Sequence, residues 1–181
     1  MARVGSWKHC PKCATELEHE EGRVDCPSCG FRAYSWSETT VGAIVLGPDG
    51  RVLLVRRARD PYGGRWDVPG GFLEEGEAPL DGLRRELREE TNLDVEPGRF
   101  VDALLDRYGA GEDAATTLNL YWEATVAGGK AESGDDAAEV RWFPRDELPP
   151  DDEIGFPNVQ RLLREWASST AGGREASRPG R

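Results

Sequence analysis

The chain has 181 residues, with 34 acidic and 23 basic side chains and a formal net charge of −11. An apolar fraction of 38% with six tryptophans is enough to build a core, so the chain is not disordered as a whole. The acidic balance argues against a non-specific grip on nucleic acid, no apolar run approaches the roughly 20 residues of a membrane span, and the N-terminus carries no secretory signal. A cytoplasmic location is the expectation. A small anionic substrate remains compatible with the charge, because a bound metal ion supplies positive charge locally.

All four cysteines come early, as Cys10-Pro11-Lys12-Cys13 and Cys26-Pro27-Ser28-Cys29. Each C-x-x-C places two thiolates on one tight turn, and two facing turns make a tetrahedral sulfur cage of the kind Zn²⁺ prefers. Residues 16–24 between the pairs read as a short hairpin turning at Glu20-Glu21-Gly22. The apolar residues of segment 1–37 are scattered, so a metal is expected to supply its folding energy. Disulfides are disfavoured in a reducing compartment, and a thioredoxin-type pair needs a βαβ context that is missing here. Four sulfurs fill the shell, which makes His9 and His19 bystanders and the site structural. Three wider roles stay open: assembly of a homodimer, substrate contact, or partner binding.

Residues 40–46 form an apolar, β-branched run, and Gly47-Pro48-Asp49-Gly50 is a turn. Residues 51–56 return as a second strand of a hairpin. A Gly- and Pro-rich loop over 60–71 leads to a helix over 78–91, with Leu80, Leu83 and Leu87 on one face. Strands are predicted over 100–108 and 116–126. The second alternates, with Leu118, Leu120, Trp122, Ala124 and Val126 on one face. A short strand over 139–143 and a final helix over 157–166 follow. That helix presents Val159, Leu162, Leu163 and Trp166 to the core. The order predicts an α/β sandwich with a mixed sheet covered by helices, over residues 38–167. Residues 168–181 read as a disordered tail.

The helix over 78–91 carries the chemistry. On a helical wheel Leu83, Leu87 and Leu80 lie at about 0°, 40° and 60°, and Glu90 and Glu86 at about 340° and 300°, beside the apolar stripe. Glu89 flanks them at about 240°. A solvated acidic face belongs opposite the stripe, whereas this one borders it. Carboxylates so placed repel one another unless a hard divalent cation sits among them. Gly70-Gly71 upstream lets a main-chain carbonyl approach the same ion. A surface helix laced with Arg–Glu pairs is the other reading of these residues.

The stretch runs Gly71, five residues, Glu77, seven residues, then Arg85-Glu86-Leu87-Arg88-Glu89-Glu90-Thr91-Asn92-Leu93. It resembles the Nudix box, G-x5-E-x7-R-E-U-x-E-E-x-G-U with U aliphatic, and departs from it at one position, where Asn92 replaces the glycine. Asn is the next-best residue for a left-handed helix end, so the backbone is expected to be kept. The lead-in Trp66-Asp67-Val68-Pro69-Gly70-Gly71 also resembles the family. The resemblance implies a Nudix α/β/α sandwich that hydrolyses a nucleoside diphosphate linked to another moiety, using Mg²⁺ or Mn²⁺. It implies Glu86, Glu89 and Glu90 as metal ligands, beside the main-chain carbonyl of Gly70 or Gly71. Glu77 joins as hydrogen-bond support, and Arg85 orients a box glutamate. The general base is implied to be a box glutamate or an acid on the loop before the last strand. Asp135, Asp136 and Glu139 stand there, with Glu139 as the candidate.

A zinc ribbon ahead of such a domain resembles NADH pyrophosphatases and shorter proteins acting on ADP-ribose or flavin dinucleotide. The S-Q-P-W-P-F-P-x-S motif of the NADH enzymes is missing from residues 94–130. Tyr62, Trp66, Phe72 and Tyr108 are the candidate base-stacking groups, each of which also fits a core. ADP-ribose or a similar ADP-linked small molecule is the favoured substrate. A non-catalytic nucleotide sensor, an NADH or FAD pyrophosphatase and an RNA-end-processing enzyme are the other readings.

Overall fold

A computed structural model describes residues 4–109, 114–134 and 137–169 of the chain. A single 3-10 turn, Val4–Ser6, precedes three short strands, β1 (Glu18–Glu20), β2 (Arg23–Asp25) and β3 (Arg32–Tyr34), in an antiparallel sheet of that order. The hairpin turns where the sequence places it, with Gly22 at φ 73°. Val4, Leu17, Val24 and the sulfurs of Cys10 and Cys26 are its buried centre, with Trp7 and Phe31 packed against them.

The larger part contains β4 (Glu38–Leu46), β5 (Val52–Arg57), β6 (Trp66–Asp67), β7 (Gly70–Phe72), α1 (Pro79–Thr91), β8 (Leu93–Tyr108), β9 (Ala115–Gly129), β10 (Ala137–Phe143) and α2 (Pro157–Ser168). The long strands run in the order β10-β5-β4-β9-β8, with β6 on β5 and β7 on β4. β4 and β9 are parallel and the other pairs antiparallel, so the sheet is mixed. Side chains of β4 alternate between two cores. Val41, Ala43 and Val45 pack with Leu83 and Leu87 of α1, whereas Ile44 packs with Val159, Leu162, Leu163 and Trp166 of α2. A strand buried on both faces reads as a continuous apolar run, which is why residues 41–46 lack alternation in sequence. Among the described residues no helix is long and apolar enough to cross a membrane.

Several elements differ from the sequence reading. Leu80 is 41% exposed and lies outside the buried stripe. Pro79 opens the helix, so Leu80 sits in a first turn that solvent reaches. One turn on, Gly82 is buried, because Leu73 and Glu77 of the preceding loop press on it where a side chain would stand. β8 starts at Leu93, directly after the helix, instead of at residue 100. Pro97-Gly98 looks like a turn, but β8 is an edge strand and takes the proline through shifts in its register with β9. The loop over 60–71 holds two short strands, and β10 begins before residue 139. On β9, Leu120, Trp122, Ala124 and Val126 join the α1 core as read and Leu118 does not, while the other face, with Thr117, Asn119 and Tyr121, is buried too. α2 runs through Ser168, and the Ser169 N–H bonds the Glu165 carbonyl, so order continues past the start of the expected tail. Residues 170–181 of that tail lie outside the described residues.

The two leucines of α1 separate these readings. Leu83→Ala is expected to cost about 2–5 kcal/mol of unfolding free energy, as a cavity in the core. Leu80→Ala is expected to stay within about 0.5 kcal/mol, as at an exposed position. Denaturant titration of both variants checks this, and equal losses would contradict the packing.

Candidate active site

β7 pairs antiparallel with β4, placing Gly70 opposite Gly42 and Gly71 opposite Val41. At Gly70 φ is +153° and a Cβ would overlap the Val41 carbonyl, so only glycine fits. At Gly71 a Cβ would overlap the carboxylate of Glu86. The glycine pair thus clears the space into which α1 points its acids. The Gly70 N–H donates to Oε2 of Glu90 at 2.9 Å. Both Glu86 and Glu90 line a cavity of about 350 Å³ together with Gly70 and Gly71.

Burial pushes the Glu90 carboxyl up to about 8. The Gly70 N–H opposes this, and the nearby Asp67 and Glu86 add to it. Glu86 is also raised by burial, against the pull of Arg85. Two carboxyls held this way favour either protons or a cation between them. Oxygen donors from two carboxylates beside a glycine main chain are the set a hard divalent ion takes.

Arg85 organises the group. Its Nε and Nη2 donate to the two Glu77 oxygens at 2.8 Å each, a bidentate pair. Nη1 donates to Glu86 at 2.9 Å and to Glu89 at 3.2 Å, and Nη2 also reaches the Phe72 carbonyl at 3.1 Å. Those bonds hold the Glu77 carboxyl down at about 2, assisted by the Glu74 N–H. Arg85 therefore ties helix, loop and β7 together and fixes one oxygen of Glu86. Glu89 is brought to Arg85 but not to the cavity: its side chain is 60% exposed.

Glu139 is not brought to the site. Its carboxylate is bound by Arg141 and lies 3.7 Å from Arg56, and it does not line the cavity. Strand pairing explains this, since β10 sets Glu139 directly against Arg56 of β5. Asp135 and Asp136 lie outside the described residues. Of the four aromatic candidates, Phe72 and Tyr108 line the cavity, edge to face with centroids 5.2 Å apart. Trp66 is a core residue, 4% exposed, and Tyr62 packs edge-on behind Phe156.

Other cavity residues were not singled out from sequence. Phe156 lies parallel to Tyr108 at 5.9 Å. Asn119 accepts from Thr40 at 2.7 Å and donates to Thr117 and the Leu104 carbonyl, each at 3.1 Å. Asp67 is bound by Arg57 at 3.1 Å, and burial pushes it up to about 6. Polar residues on the second face of an alternating apolar strand were the available signal for Thr117 and Asn119.

The four cysteine sulfurs lie within 4.8 Å of one another, the one such set of metal-ligating side chains among the described residues, and neither histidine belongs to it. Cys10 and Cys29 are 3.6 Å apart, and Cys13 and Cys26 3.4 Å. A ZnS₄ tetrahedron with bonds of about 2.3 Å has edges of about 3.8 Å, close to both. The two turns share their wiring: the Ala14 N–H bonds the Cys10 carbonyl and the Gly30 N–H the Cys26 carbonyl, with Ala14 and Gly30 both at positive φ.

Known proteins resemble the chain in sequence and in fold. A family model described as NUDIX domain matches residues 36–163, more than half of the chain. An ADP-ribose pyrophosphatase of Methanocaldococcus jannaschii is 31% identical over 138 residues, 75% of this chain and 76% of that protein. An NAD-capped RNA hydrolase NudC of Stutzerimonas stutzeri is 27% identical, over 81% of this chain but only 53% of its own length. A NUDIX hydrolase structure from Nitrosomonas europaea superposes with a TM-score of 0.73 at 29% identity, covering 89% of this chain and 90% of that one. With its acidic helix set against the glycine pair, the chain belongs to the Nudix hydrolase family.

Proposed function

We propose that the protein cleaves the pyrophosphate bond of a nucleoside diphosphate linked to another moiety in a Mg²⁺- or Mn²⁺-dependent reaction, with ADP-ribose or a related ADP-linked compound as substrate. The observation that carries the reading is the pair of half-buried carboxylates, Glu86 and Glu90, in a cavity also lined by Phe72, Tyr108 and Phe156. The likeness to the Methanocaldococcus jannaschii ADP-ribose pyrophosphatase supports the choice of substrate.

Glu86 and Glu90, with the main-chain carbonyl of Gly70 or Gly71, would hold the divalent ion, and Glu89 would join from the solvent side. Such an ion supplies charge neutralisation for the pyrophosphate and a water of lowered pKa. The chain's own part is to hold these oxygens still. Arg85 fixes Glu86 and is itself pinned by Glu77, and the Gly70 N–H fixes Glu90. Phe72 and Tyr108 offer ring faces and edges to a base, which an aromatic wall binds by stacking. At the other end of the chain, Cys10, Cys13, Cys26 and Cys29 would hold a structural Zn²⁺. With all four positions taken by sulfur, that ion has no open site for water.

Three outcomes test this reading. Glu90→Gln is expected to lower kcat on ADP-ribose by more than about 100-fold, beyond the loss typical of a merely supporting group. An unchanged kcat in a steady-state assay with Mg²⁺ would refute it. In protein dialysed free of Mg²⁺ and Mn²⁺, thermal stability should fall as pH rises. A carboxyl raised by folding contributes stability below its ordinary pKa and loses it on the way up to the folded value. Asp67 and Glu86 act in the same sense and Cys13, held down to about 6, acts in the opposite one, so the share of Glu90 is the part that Glu90→Gln removes. Glu77 acts oppositely, and only in acid. Between pH 6 and 8 the melting temperature of the parent should therefore fall more steeply than that of Glu90→Gln, and identical slopes would contradict the raised carboxyl. Finally, elemental analysis should find one zinc per chain, lost in Cys26→Ser, and a full complement in that variant would contradict the sulfur cage.

A further inference from the structure

An α-helix ends with carbonyls that lack partners within the helix. In α1 these belong to the turn that carries Glu89 and Glu90, and the chain returns to them at Glu132 and Gly134. The Gly134 N–H donates to the Glu90 carbonyl at 2.9 Å, and the Glu132 N–H to the Thr91 carbonyl at 3.0 Å. The approach is as close as a backbone allows. A Cβ at Gly134 would overlap the Glu89 carbonyl, and one at Gly129 would overlap the Asn92 carbonyl.

Asn92 takes part as well. It ends the helix in the left-handed region, at φ 55° and ψ 24°, where glycine is easiest and the family signature has glycine. Its side-chain amide donates to the Lys130 carbonyl at 3.3 Å, a bond glycine has no atoms to make. The one departure from the signature is thus a tie to the returning segment. Glu90 is consequently held from two sides: its carboxylate by the Gly70 N–H of β7, and its carbonyl by the Gly134 N–H.

We propose that Asn92 and the segment 129–134 form a clasp that holds the last turn of α1, and with it the carboxylate of Glu90, in the arrangement that takes the divalent cation. The inference rests on the metal-dependent reading above. Asn92 and Gly134 are positioning residues, acting through the helix end and touching neither ion nor substrate. It follows that restoring the signature glycine weakens the site.

The test is Mn²⁺ binding to the full chain without substrate, read by electron paramagnetic resonance, with melting temperature and kcat measured beside it. Asn92→Gly is expected to raise the Mn²⁺ dissociation constant about three- to tenfold, the range a net hydrogen bond spans. Its melting temperature should barely move, since glycine suits the left-handed position. kcat should fall with little change in KM at saturating metal. Gly134→Ala should show a larger loss of Mn²⁺ affinity. Asn92→Gly binding Mn²⁺ as tightly as the parent, or tighter, overturns the clasp, as does a loss of melting temperature alone. A parent chain that binds no Mn²⁺ refutes the metal-dependent reading and the clasp with it. A parent that binds and hydrolyses while both variants match it defeats the clasp only.

Discussion

Two half-buried carboxylates set against a pair of glycines are the constraint on which the rest of the site depends. Glu86 and Glu90 would ordinarily sit in solvent, and burial raises the cost of their charge. The fold accepts that cost over a narrow space. Gly71 leaves room for one carboxylate, and Gly70 gives its N–H to the other. Gly70 tolerates no side chain, one at Gly71 would displace the Glu86 carboxylate, and both glycines are fixed by pairing with the central strand β4. The acids are therefore placed by the sheet as much as by their own helix.

Around this pair the polar groups form a connected set, as buried networks must. Arg85 has its donors distributed over Glu77, Glu86, Glu89 and the Phe72 carbonyl. The helix thus carries its own counter-charge without neutralising Glu90, which has no arginine bonded to it among the described contacts. That asymmetry divides the labour among similar residues. Glu77 is held as an anion in an ion pair, Glu89 is largely exposed, and the Glu90 carboxylate is bonded by the Gly70 main-chain N–H. On the other helical layer, α2 brings Phe156 against Tyr108, so the aromatic wall is built jointly from β8 and the start of α2.

The sequence disclosed whatever depends on near neighbours in the chain. The acidic helix, its left-handed end at Asn92, the two cysteine turns and the hairpin between them rest on residues within a few positions of one another. Glu90 beside the apolar stripe was legible from helical geometry alone. What depends on strand pairing was not. Trp66 and Phe72 look alike in and just after a Gly-rich loop, yet β6 buries the first in the core and β7 turns the second into the cavity. Glu139 looks like a loop acid, yet its register on β5 sets it against Arg56, and Arg141 of its own strand bonds it. Thr40, Thr117 and Asn119 come together only because β4 and β9 are parallel neighbours, with Thr40 opposite Asn119. Leu80 fitted the helical period but fell in a first turn that the sheet does not cover.

The central claim is that a divalent cation belongs between Glu86, Glu90 and the glycine pair. Anomalous diffraction at the manganese edge, from crystals soaked in Mn²⁺, tests it most directly. The account predicts an anomalous peak within bonding distance of oxygens from both Glu86 and Glu90 and of a Gly70 or Gly71 carbonyl. A map with no peak there, and with Glu90 still bonded only to the Gly70 N–H, would contradict it.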